Sequence, residues 1–142
     1  MKNKEILLYS QNTISQQLFM LYLLGNTVFT IFFANTADVD ADLGLFIILN
    51  IVLSLLGFLT AVRQRVYAKF WGYVGFAIGV FQLVRLMWIP EEIVNPLRLL
   101  LVVLLLVSGA LAITASLLCL RRTTDREHYI RENDVDLSIL QQ

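Results

Sequence analysis

Four runs of largely apolar residues, at about 17–36, 43–62, 70–89 and 97–120, follow one another with only short polar connections, and this spacing constrains the fold more than any other feature. At about 1.5 Å of rise per residue, a helix of about twenty residues reaches about 30 Å, the hydrocarbon thickness of a bilayer. The third run, FWGYVGFAIGVFQLVRLMWI from Phe70 to Ile89, carries a single charge, Arg85. In lipid every backbone N–H and C=O has to be satisfied within its own helix. Four such runs joined by short loops therefore predict an all-α chain, an integral membrane antiparallel four-helix bundle.

Composition narrows the organisation further. A chain of 142 residues that is 58% hydrophobic and 15% charged is too apolar for a soluble domain and too short for a membrane part plus a separate globular one. A single membrane domain over 1–142 is expected, with a charged tail over 121–142 in which Glu127 and Arg131, four apart, allow a short helix. Residues 1–15 offer only Ile6 to Tyr9 as a hydrophobic stretch and no small-residue cleavage site, so they read as an interfacial helix or a loose terminus rather than a signal peptide.

The net charge of zero conceals how the charges are distributed. Lys2, Lys4, Arg63, Arg65, Lys69, Arg121, Arg122, Arg126 and Arg131 fall on one side of the four spans, and only Arg85 and Arg98 fall toward the other. Basic residues accumulate in cytoplasmic loops, so both termini are expected in the cytoplasm of a cell whose plasma membrane holds the protein. Asp38, Asp40, Asp42, Glu91 and Glu92 are then outside. No basic surface suited to nucleic acid is present.

Small residues recur at helical spacing in three of the spans. Gly75 and Gly79 form a GxxxG that Gln82 and Leu86 continue; Asn50, Ser54, Gly57 and Ala61 make a second stripe; Ser108, Ala112, Ala115 and Cys119 make a third. Such faces are expected to be helix contacts, because a lipid-facing glycine gains no packing and lowers helix propensity. In the first span Tyr22, Asn26 and Thr30 share a face.

Four side chains are candidates for a functional site: Asn26, Asn50, Gln82 and Arg85. Arg85 lies about 7 Å inside the outer end of its helix, a depth from which its stem can snorkel to the headgroups, and snorkelling or a structural pairing is the preferred expectation. The alternative turns Arg85 inward with Gln82 to meet Asn50 and Asn26 in a polar pocket open to the outside, suited to an anion or a lipid headgroup. Asn26 and Asn50 are in any case placed to join neighbouring helices, a contact of about 0.6 kcal/mol on average in lipid.

Much chemistry is excluded at this level. The single Cys119 cannot form an intramolecular disulfide, and the lone His128 leaves no Cys/His metal set. The DVDAD stretch lacks the glycine turn and distal glutamate of a calcium loop. No nucleophile with a base, HExxH, phosphate loop or paired carboxylates occurs, so neither an enzyme nor a cofactor is expected. The function expected is that of a structural or accessory subunit of a membrane complex or homo-oligomer, its partners being the bilayer and either copies of itself or a larger membrane protein. The alternative is a homo-oligomeric carrier or channel for a small or anionic solute or lipid.

Overall fold

The computed structural model describes residues 12–36 and 38–136, and the described residues form helices and turns without strands. Helix α1 spans Thr13–Thr36, α2 Ala41–Arg65, α3 Lys69–Val84 and α4 Leu97–Glu132, with a 3₁₀ turn, Arg85–Trp88, extending α3. Four segments are thus long and apolar enough to cross a membrane. The chain is a multi-pass membrane protein by that criterion. An interfacial helix over 1–15 lies, up to residue 11, outside the described residues; from Thr13 the chain already belongs to α1.

Two boundaries differ from the sequence expectation. The third span is not one α-helix to Ile89: the backbone tightens at Arg85, and the last turn before Pro90 is 3₁₀. Proline disfavours the α conformation in the residue before it, and helix ends commonly tighten into this geometry. The helix that carries the fourth span does not end with it at Leu120. It continues through the charged tail as one helix of 36 residues, because Cys119 and Thr123 carry its buried stripe past the arginine pair.

The helix starts and stops have local causes. Asp40 caps α2, its Oδ1 accepting from the Leu43 N–H at 2.8 Å, and Asp42 places negative charge at the same N-terminus. At the other end of α2 the chain reverses within a few residues, through Tyr67 with φ of 59°. That left-handed conformation usually falls to glycine after a helix.

Helix α1 packs against α2 and α4, and α3 packs against α4 and α2. The approach is closest where α3 meets α4. A Cβ on Gly79 would lie 3.0 Å from the backbone nitrogen of Ile113, and one on Gly109 would lie 3.3 Å from the carbonyl oxygen of Gly79. The stripe residues Gly57, Ala61, Gly75, Gly79, Ser108 and Ala112 are all buried.

The interior is layered along the helix axes. One apolar layer joins Phe19, Tyr22, Ala61, Ile78, Ala112 and Ala115, and a second joins Phe29, Ile89, Leu101 and Leu105. Between them lies a polar layer. Beyond the second apolar layer come the acidic loops; beyond the first come the α2–α3 turn and the tail. We call these the acidic and basic ends.

Candidate functional site

Every helix contributes to the polar layer. Asn26 and Thr30 come from α1, Asn50 from α2, Gln82 from α3, Arg85 from the 3₁₀ turn and Ser108 from α4. Asn26, Gln82 and Ser108 are fully buried, Asn50 is 3% exposed and Arg85 only 2%. Arg85 does not snorkel. Three residues after Gln82, it lies on the same side of the helix, and the guanidinium enters the centre of the molecule.

Three amide oxygens receive it. Arg85 Nη1 donates to Asn26 Oδ1 at 2.8 Å and to Gln82 Oε1 at 3.0 Å, while Nη2 donates to Asn50 Oδ1 at 2.9 Å. Because a guanidinium only donates, these bonds fix the orientation of all three amides. Gln82 Nε2 is therefore free to donate to Ser108 Oγ at 2.9 Å and Asn26 Oδ1 at 3.2 Å, and Asn50 Nδ2 to the Phe46 carbonyl at 2.8 Å. The Thr30 hydroxyl lies 3.1 Å from Asn50 Oδ1.

The charge is also met by aromatic faces. The guanidinium carbon sits 4.8 Å from the Phe29 ring centroid and 5.3 Å from that of Phe46. Both lie within the range at which a ring quadrupole attracts a cation, and a desolvated contact contributes about 2 kcal/mol. Among the described residues no carboxylate is within ion-pair distance of Arg85. Two other buried polar atoms on the same face of α1, Tyr22 Oη and Asn26 Nδ2, have no hydrogen-bond partner.

The four candidates thus form one closed cluster rather than a pocket open at the acidic end. Phe33 and Phe46, with ring centroids 4.4 Å apart, lie between the cluster and that end. The cavity found there, of about 630 Å³, is lined by Phe33, Phe46, the acidic loops and the start of α4, and by none of the four. Asn50 alone reaches a second hollow, of about 350 Å³, between the exposed faces of α1 and α2.

A second polar cluster, at the basic end, went unrecognised in the sequence. Gln64 Nε2 donates to Ser116 Oγ at 3.1 Å and to the Trp71 carbonyl at 3.3 Å. Asn12 takes a bond from Arg122 Nη1 at 3.0 Å, gives one to Ser15 Oγ at 2.8 Å, and its N–H reaches the Arg65 carbonyl at 2.9 Å. Gly75 makes the room: a Cβ there would collide with Ser116 Oγ and Gln64 Nε2. The tail is held against the turn by Arg126, stacked 4.9 Å from the Tyr67 ring, and by the Lys69–Glu127 ion pair at 3.0 Å. Gln64 was legible: it lies three residues after Ala61 and continues the stripe of α2 by one turn.

No family model, curated protein or solved structure matches this chain, so its fold and both clusters stand on their own geometry.

Proposed function

We propose that the protein is a structural or accessory subunit of a membrane assembly, built as an antiparallel four-helix bundle with both termini in the cytoplasm and the acidic loops outside. One observation carries this reading. The interior polar groups are bonded to one another across all four helices, with Arg85 at 2% exposure as their hub. Such a centre fixes helix positions and leaves the outer faces for lipid and for neighbours. Those faces are apolar over most of their length, as Leu45, Ile48, Leu55 and Phe58 on α2 exemplify. The reading includes no catalytic step, cofactor or nucleic acid.

Native mass measurement of the protein extracted from its own membrane in mild detergent tests it. A defined complex larger than one 16.2 kDa chain is expected; a lone copy overturns the reading. Orientation is tested separately by labelling single cysteines. Cysteines at Asp40 and Glu92 should react with an impermeant reagent on intact cells, and one at Gln64 should not.

The second reading, a homo-oligomeric carrier or channel for an anionic solute, is favoured by the uncompensated charge of Arg85 beside the unpartnered Asn26 Nδ2 and Tyr22 Oη. Arg85→Lys separates the two. A lysine keeps the charge and loses the planar fork. Under the structural reading the variant is less stable and assembles in proportion to its stability. A well-folded, fully assembled lysine variant that has selectively lost anion binding supports the carrier.

A further inference from the structure

The cavity of about 630 Å³ at the acidic end plays no part in the polar layer. Its size is that of a small-molecule site, and cavities of this range are typically apolar with a few polar groups that orient the ligand. Its walls follow that division. Phe33, Phe46, Leu43, Ile93 and Leu97 give an apolar interior, and Asp38, Asp40, Asp42 and Glu92 line it with carboxylates. Neither Arg85, which lies behind the Phe46 ring, nor Arg98 is among its lining residues.

The carboxylates are not equivalent. Asp40 is committed to the α2 N-terminus through the Leu43 N–H at 2.8 Å. Asp38, Asp42 and Glu92 have no ion-pair partner among the described residues. A negative rim over an aromatic and aliphatic interior is complementary to one kind of small molecule: a positive head on an apolar body.

We propose that this cavity is a binding site for a small organic cation, an ammonium centre carrying an apolar or aromatic group. The head sits among Asp38, Asp42 and Glu92, where water still reaches it. The apolar part enters between Phe33, Phe46 and Leu97. This orientation keeps the ligand's charge on the far side of the Phe46 ring from Arg85, so the arginine's repulsion is partly offset by the nearer carboxylates. The site stands whether or not the protein is a subunit of a larger assembly, since every group that lines it comes from one chain.

The probe is benzyltrimethylammonium, and the control is neopentylbenzene, which has the same shape with carbon in place of nitrogen and no charge. Each is titrated by equilibrium dialysis against the full chain in phosphatidylcholine nanodiscs and against empty discs. The cation should show one saturable site per chain, weakened by added salt, while the neutral compound partitions equally into both kinds of disc. Replacing Asp38 and Asp42 by Asn and Glu92 by Gln together should weaken the cation by about tenfold or more. Leu97→Trp, at a partly buried residue of the apolar wall, should weaken the cation by taking up part of the cavity with the carboxylates intact. Thermal unfolding of both variants confirms that they are folded. Absence of a saturable component, or unchanged affinity in either folded variant, overturns the proposal.

Discussion

Arg85 and Arg122 each donate to an asparagine oxygen of the α1 region, at 2.8 and 3.0 Å, and the two bonds have very different consequences. Arg85 is enclosed between two apolar layers, and its other partners lie on α2 and α3. Arg122 is only partly buried, in the helix that continues into the tail, so water can enter the place its guanidinium would leave, although its acceptor Asn12 is enclosed while the arginine is there. The same donor and acceptor thus make a hub in one place and a clip in the other. What separates them is the availability of a substitute partner: losing a buried partner leaves the remaining polar groups without water, whereas losing a surface one does not.

The contrast can be broken most sharply at the hub. Arg85→Met leaves the Gln82 oxygen without a donor and the oxygens of Asn26 and Asn50 with only their weaker partners, Gln82 Nε2 and the Thr30 hydroxyl, and should cost about 3 kcal/mol, read as a lowered midpoint of denaturation in mixed micelles. A Met variant as stable as the parent would mean that the cluster contributes no stability. The next effect concerns the backbone approach that lets α3 carry the hub inward. Gly79→Leu forces Ile113 and the α4 backbone away and should cost about 2 kcal/mol. Gly44→Ala, where nothing lies within 4 Å of the added Cβ, should instead stabilise by about 0.5–1 kcal/mol; the same thermal measurement reads both signs.

At the basic end the effects shrink. Arg122→Ala should cost about 1 kcal/mol and increase hydrogen exchange at the start of α1, around Ser15 and Gln16, while leaving exchange near Asn26 unchanged. Exchange rising equally at both places would show that the two clusters are not separate units. Smallest is Lys69→Ala. Its ion pair with Glu127 joins side chains that are 43% and 49% exposed, so it should change stability by about 0.5 kcal/mol or less, and high salt should erase the difference.

The positions of the four spans were legible from hydropathy and length alone, and so were the small-residue faces, because spacing on a helix decides which side chains coincide. The direction of Arg85 was not. On a helix it sits on the flank of the Gly75–Gly79 stripe, from which lipid headgroups are within reach, and spacing alone does not decide whether a long side chain runs out to them or turns to the amides of neighbouring helices. The extent of α4 was missed for a different reason. A dense run of charges marks the end of a membrane span, yet it does not end a helix, and Thr123 extended the stripe of Ser108, Ala112, Ala115 and Cys119. The role of Asp40 was available in the three-residue interval to Leu43, but three aspartates in alternation draw attention to metal binding before capping. Gln64, legible from its spacing after Ala61, was passed over because it stands between two arginines at the end of α2.

The length of α4 has an electrical consequence. A helix of 36 residues is about 54 Å long, and a bilayer's hydrocarbon accounts for about 30 Å of it. In the orientation proposed above, with Leu97 at the outer face, about 24 Å of helix stands clear of the inner one. The screening length in physiological salt is about 8 Å. Arg121 and Arg122, close to the surface, feel the charge of the lipids; Arg131 and Glu132, at the helix tip, lie beyond its range. Changing the proportion of anionic lipid should therefore alter how firmly the base of the helix is seated, while the charges at its tip stay independent of membrane composition.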